Sequence, residues 1–305
     1  MGGGPFDDWY ESAGVRQGLR RMLVDETDQG RVYFPASLVP YLDHELVAAR
    51  GAAARQALTV RHLYQFLLAT THLETRVVNR AAERIANDRT GLPGSTGLRL
   101  DAFKVYCDEG YHALYSLDLA DQVATTTRIP IPDWDFGGFA ARLDATAEEL
   151  LPGEPLLAQL LQAVVFETLI TAVLNELPTD TSIITTVREL ARDHARDEGR
   201  HHRFFARFFH ELWTDLDTGL RVRVALAMPA LIEDCLTWDV QPVARSLAAA
   251  GLPADEVRTV LGDTYGGGQE LRQTAAATVR MCRSAGVLEV PGAVEAFAAK
   301  GLVDG

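Results

Sequence analysis

The chain has 305 residues, 47% of them hydrophobic, with a formal charge of −13 and a pI near 5.1. That is enough apolar material for one large core, and the acidic balance excludes the basic face that nucleic acid or an anionic membrane requires of a partner. Cys107, Cys235 and Cys282 are widely separated and form no CxxC pair, which points to buried packing residues in a reduced, cytoplasmic setting.

The opening stretch MGGGPFDDWYE lacks the basic start and apolar core of a targeting peptide and reads as a loose end. From there, apolar residues recur at helical spacing, and alternating runs bounded by hairpin dipeptides are nearly absent, so the expected class is all-α. Punctuation by Pro and Gly divides the chain into helical segments at 8–24, 38–50, 55–88, 101–124, 136–150, 155–177, 182–213, 219–234, 239–250, 253–264, 268–285 and 291–300. Between them, DETDQG at 25–30 opens like a calcium loop but has Ala36 where the closing Glu belongs. DFG at 135–137 has no catalytic-loop partner, and TYGGGQ at 264–269 follows no strand, so both read as loops.

No segment reaches the roughly 18 uninterrupted apolar residues of a membrane span. The longest candidate, LLAQLLQAVVFETLITAVLNEL, contains Gln159, Gln162 and Glu167 and reads as a helix buried in protein. The segments 55–88, 101–124, 155–177 and 182–213 are long. They suggest a four-helix bundle over about 55–213, with N-terminal helices at 8–50 and C-terminal helices at 219–300 packed around it, in one domain spanning 1–305.

Two acids sit inside apolar helical faces. Glu167 has Leu160, Ala163, Val164, Ile170 and Leu174 at spacings of three, four and seven; Glu74 has Leu67, Val77, Val78 and Ala81, with Thr70 and Thr71 making its preceding turn more polar. A buried carboxylate costs several kcal/mol or more unless it is neutralised, paired or bound to a metal, and few Lys or Arg lie on these faces. The other two long helices offer the complement. Glu109 and His112, and Glu198 and His201, stand at i and i+3, each pair on one helical face.

In chain order the pattern is Glu74, then Glu109 with His112, then Glu167, then Glu198 with His201. This is the carboxylate-bridged constellation of two iron or two manganese ions in ferritin-like bundles. Hard oxygen donors with few imidazoles favour iron or manganese over zinc or copper, and iron is the expectation, with dioxygen as the reactant it activates. Asp108 and Asp197 each directly precede a motif Glu and are placed to accept hydrogen bonds from the metal-binding imidazoles. His194 lies four residues before Glu198 and seven before His201, within the same stripe, whereas His72, His202 and His210 point elsewhere.

The full set of Glu74, Glu109, His112, Glu167, His194, Glu198 and His201 resembles that of the p-aminobenzoate N-oxygenase family, whose extra histidine comes from a His-x-x-x-Glu-x-x-His segment, here HARDEGRH at 194–201. The resemblance covers roughly 60–210. It implies a ferritin-like bundle, usually dimeric, holding two iron ions. It also implies stepwise N-oxygenation of an amine, through hydroxylamine towards nitroso or nitro products, by a peroxo-bridged diferric species in natural-product biosynthesis. Family members acting on amino-aryl carboxylates use a basic residue for the carboxylate. Arg272 and Arg280 are candidates for that role, and Asn175 and Tyr106 for lining a substrate pocket. No flavin or nicotinamide site is visible, so an external electron donor is expected. A ferritin-like oxidase or desaturase acting on C–H bonds, and a non-enzymatic iron-binding protein, are the alternatives; His194 is what sets the first reading apart from them.

Overall fold

The structure is a computed structural model that describes residues 4–17, 20–23, 30–91, 94–134, 136–169, 174, 176–237, 239–266 and 271–304. Helices account for nearly all its regular structure. Short α1 (Trp9–Ser12) and α2 (Glu45–Ala48) precede α3 (Gly51–Leu73) and α4 (Asn79–Ala86), followed by α5 (Thr96–Thr127), α6 (Gly137–Leu150), α7 (Pro155–Leu169) and α8 (Thr185–Asp215). After these come α9 (Thr218–Leu236), α10 (Gln241–Ala249), α11 (Ala254–Tyr265), α12 (Leu271–Thr274), α13 (Ala276–Ser284) and α14 (Ala293–Ala299). Among the described residues there is no strand, only one isolated parallel bridge between Val32 and Ile183. The fold is all-α and ferritin-like, with α3–α4, α5, α7 and α8 as the four-helix bundle.

Local chemistry sets the ends of these helices. Ser95 caps α5 by accepting from the Leu98 amide at 3.1 Å, and α5 stops where Arg128 turns left-handed at φ 60°. The segment expected as one helix over 55–88 begins at Gly51 and carries a π-helical turn, Glu74–Val78, in its middle. There the Asn79 amide donates to the Glu74 carbonyl, five residues back. Such turns interrupt α-helices chiefly where a side chain has to be placed for function.

The apolar core falls into two parts. One gathers Phe204, Phe205, Phe208 and Phe209 of α8 with Val164 and Val165 of α7, Ala81 and Ile85 of α4, and Val105 of α5. The other gathers Leu63 and Leu67 of α3 with Leu119 and Val123 of α5, and Val187 and Leu190 of α8. Each fully buried Phe or Leu contributes about 1.5–3 kcal/mol. Along α3–α4, α5 and α8 alike, the change from one part to the other falls where Glu74, Glu109 and Glu198 stand. A polar layer therefore crosses the bundle between two hydrophobic halves.

Several sequence expectations need correction. Among the described residues of the helix expected over 8–24, Trp9–Ser12 is α-helical and Gly14–Arg16 a 3-10 turn, with a break between them because Ala13 is extended and the Gly14 amide is turned to a side chain on α8. From residue 4 on, the opening stretch is not loose: Phe6 is 1% exposed and Trp9 is buried as well. In 38–50 the chain turns through Pro40, and only Glu45–Ala48 is α-helical, started by the His44 ring accepting from the Leu46 amide at 3.2 Å. Within the span expected over 268–285, the described residues form α12 and α13. Cys282 is buried and Cys235 half-buried against the core, as the packing role requires, but Cys107 is exposed and does not fit it.

Candidate metal centre

The polar layer brings together all seven residues that the spacing singles out, each no more than 2% exposed. Glu74 comes from the π turn, Glu109 and His112 from α5, Glu167 from α7, and His194, Glu198 and His201 from α8. Donor atoms of Glu74, His112, His194 and Glu198 form one group, and those of Glu109, Glu167, Glu198 and His201 a second, with all atoms of a group within 4.8 Å of one another. Glu198 belongs to both.

Most close approaches follow this division, and one crosses it: His112 Nδ1 lies 3.0 Å from Glu109 Oε2 of the second group. His194 Nε2 lies 2.8 Å from Glu74 Oε1 and 3.1 Å from Glu198 Oε1. His112 Nδ1 is 3.7 Å from Glu74 Oε2 and 3.6 Å from Glu198 Oε1. In the second group, His201 Nδ1 stands 2.9 Å from Glu109 Oε1, 3.4 Å from Glu198 Oε1 and 3.7 Å from Glu167 Oε2. Despite this crowding, His201 Nδ1 and one oxygen of each of Glu74, Glu109, Glu167 and Glu198 are buried with no hydrogen-bond partner. Buried polar atoms left in this state are costly, and donors that converge without bonding one another suit a cation between them. Four carboxylates facing two divalent ions also balance in charge. These groups can hold metal ions, and their oxygen-rich donor set favours iron or manganese.

Electrostatics describes the same imbalance. Burial pushes the Glu167 carboxyl well above the usual range, and the charges of Glu198 and Glu109 add to it. Glu74 is raised as well, chiefly by burial, although His194 pulls the other way. Burial also opposes ionisation of Glu198 and Glu109, but the neighbouring imidazoles together outweigh it, His201 with His194 for Glu198 and His201 with His112 for Glu109, and hold both below the ordinary value. His112 and His201 are lifted well above theirs against the effect of burial, His201 by Glu109 and Glu198, and His112 by Glu74 and by its hydrogen bonds to Asp197 and Glu109. In the absence of a cation, protons on imidazole compensate the carboxylates, so metal uptake has to displace them.

The outward nitrogens of two imidazoles are fixed by aspartates on the opposite helix. His112 Nε2 pairs with Asp197 Oδ2 at 3.2 Å, and His201 Nε2 with Asp108 Oδ2 at 3.1 Å. With an aspartate on that nitrogen, the other, Nδ1, is left to face the carboxylates. The Trp9 indole N–H donates to Asp108 at 2.8 and 2.9 Å, and the Gly14 amide to Asp197 at 3.1 Å.

Spacing did not lead to Trp9 and Gly14, which have no local signal, nor to Tyr115, which does have one. Tyr115 follows His112 by three residues, its ring centroid 5.4 Å from that of His112 and 6.1 Å from that of His194. Its hydroxyl is buried without a partner, and burial raises its pKa well above 10, so it stays a neutral phenol. Beside it opens a cavity of about 340 Å³ whose lining is mixed, apolar at Leu114, Leu119 and Leu190 and charged at Arg20, Arg21 and Asp193.

The described candidate substrate residues, Tyr106, Arg272 and Arg280, are not drawn into this layer. Tyr106 is 44% exposed; Arg272 pairs with Asp304 at the surface; Arg280 is exposed but near enough to His202 to act on its charge. Asn175 lies outside the described residues. His72 packs against Phe136 with ring centroids 5.1 Å apart, and His210 pairs with Ser284 at 3.0 Å.

Comparison with known families gives a match over residues 23–286 to the family described as p-aminobenzoate N-oxygenase AurF. No curated protein matches the chain.

Proposed function

The chain belongs to the p-aminobenzoate N-oxygenase AurF family, and from that premise we propose that it is a non-heme di-iron N-oxygenase that uses dioxygen to oxidise an amine. The amine is of the aryl or amino-acid type, and the product a hydroxylamine, nitroso or nitro compound. The observation that carries the reading is the double membership of Glu198, whose carboxylate completes both donor groups while His194 adds a third imidazole to the layer. In this reading Glu74, His112 and His194 hold one ion, Glu109, Glu167 and His201 the other, and Glu198 is shared.

Reductive activation of dioxygen is the chemistry that a bound pair of ferrous ions supplies. The chain's own residues do the rest. Asp108 and Asp197 aim the imidazoles, the two apolar halves of the core exclude water from the layer, and the cavity beside Tyr115 supports approach of a small planar molecule from the side of His112 and His194. Electrons come from an external donor. A homodimer is supported by α5, whose Leu100, Phe103, Leu114 and Leu117 are all large, apolar and exposed and fall with Cys107 and Gly110 on a three-four repeat, the spacing of a helix seam. Among the described residues, no helix is long and apolar enough to cross a membrane, and the free thiols fit a reducing, cytoplasmic location.

The test is metal analysis of the purified protein, then oxygen consumption with p-aminobenzoate and a panel of other amines, with products followed by mass spectrometry. Two irons per chain and an N-oxygenated product are the expected result. Iron mineralisation without consumption of any amine would instead identify an iron-binding protein. If His194→Ala leaves metal content and N-oxygenation unchanged, the histidine that separates this reading from a C–H oxidase has no such role.

A further inference from the structure

Residues 4–17 precede the family-matching region, which begins at residue 23, yet they line the back of the metal centre. Phe6 stacks near His201, with ring centroids 6.1 Å apart, and packs edge-on against Phe204 at 6.0 Å. One turn on, the Trp9 indole bonds both oxygens of Asp108. At the far end of α1 the Gly14 amide bonds both oxygens of Asp197, at 3.1 and 3.3 Å. The approach there is so close that a Cβ on Gly14 would stand 2.6 Å from Asp197 Oδ2. Arg200 of α8 ties the two sides together, donating to Asp197 Oδ1 at 2.6 Å, to both oxygens of Asp8 at 3.1 and 3.2 Å, and to the Ser12 hydroxyl.

We infer that this N-terminal segment is a positioning element of the dimetal site, with Gly14 and Trp9 each governing a different ion. Gly14, with Arg200, fixes Asp197, and Asp197 aims His112 at the group containing Glu74, His194 and Glu198. Trp9 fixes Asp108, and Asp108 aims His201 at the group containing Glu109, Glu167 and Glu198. Neither Gly14 nor Trp9 touches an ion. Removing an outer partner of a metal-binding imidazole weakens metal affinity by about ten- to hundredfold, and here the loss falls on one ion of the two. The inference rests on the dimetal reading.

The test uses manganous ion alone, with free Mn(II) followed by electron paramagnetic resonance during titration of the full chain. The parent protein is expected to bind two ions, and Gly14→Ala and Trp9→Phe each to weaken one of them by about ten- to hundredfold. Combination assigns which. Gly14→Ala together with His201→Ala should leave no tightly held ion, whereas Gly14→Ala together with His112→Ala should retain one; for Trp9→Phe the pattern reverses. A purely structural defect would weaken both ions alike, and that result, or binding identical to the parent, overturns the inference. A parent protein that binds fewer than two ions overturns the dimetal reading itself. Melting of the metal-free variants monitors folding. Should Gly14→Ala fail to fold, Asp8→Ala releases Arg200 from the segment at an exposed position and is expected to weaken the His112 ion severalfold, unchanged binding again counting against the proposal.

Discussion

Asp197 and His112 meet across the α5–α8 interface at 3.2 Å, and Asp108 and His201 meet in the reverse sense at 3.1 Å. Each aspartate stands one residue before the glutamate of its own motif and serves the imidazole of the other. The two helices thus orient each other's imidazoles, which makes the site's geometry depend on their packing. Asp197→Asn and Asp108→Asn, which keep the shape but remove the charge, are expected to lower metal affinity by about ten- to hundredfold. Competition with a chelator of known affinity checks this; unchanged affinity would show the rings to be held by packing alone.

Glu198 and Glu167 differ in reach, since only the first is common to both donor groups. Glu198→Gln should therefore abolish tight binding of both ions, while Glu167→Gln should leave one. Inductively coupled plasma analysis of protein loaded anaerobically with ferrous ion distinguishes these outcomes. Equal stoichiometry in the two variants would refute the sharing.

His62 lies outside the metal layer, its ring 5.1 Å from Phe34 and 5.8 Å from Tyr41. Burial alone holds its pKa down to about 4, against 6.5 for an unperturbed histidine. The folded state thus resists a proton that the unfolded chain accepts. The stability this gives is complete above pH 6.5 and drains as the pH falls towards 4, by roughly 3 kcal/mol at most. Comparing melting temperatures of the parent and His62→Phe from pH 7 to 4.5 should show a shallower decline in the variant. Parallel curves would mean that His62 takes up its proton in the folded protein.

Leu114 is 63% exposed and Leu117 47%, and on α5 they continue the apolar row begun by Leu100 and Phe103. If two copies pair along this row, Leu114→Asp with Leu117→Asp should convert a dimer to a monomer. Light scattering reads the mass, and because these side chains contribute little to the monomer's core, the monomer's helicity should not change. A dimer that survives the double substitution places the interface elsewhere.

The seven residues of the polar layer were legible because helical periodicity fixes direction: an acid with apolar neighbours at three, four and seven residues faces inward whatever the tertiary detail. Tyr115 was legible by the same rule, being one turn beyond His112. The π turn at Glu74 was not, because nothing in its composition separates it from an α-turn and only the completed bundle selects it. Nor were Trp9 and Gly14, whose partners are 99 and 183 residues away. A pattern read in windows of a few turns carries no information across such distances. The same limit explains the N-terminal helix expected over 8–24, where the Gly14 amide goes to Asp197 and not to a preceding turn.

Those separations also set an order of events. Trp9 and Gly14 leave the ribosome well before their acceptors, which lie 99 and 183 residues further along the chain, the one for Gly14 on α8. Contacts closing such long loops form late, since the entropy of closure has to be met before they return anything. Trp9 and Gly14, made before their partners, are therefore among the last to find their places, and a nascent chain has no finished polar layer until its bundle is complete.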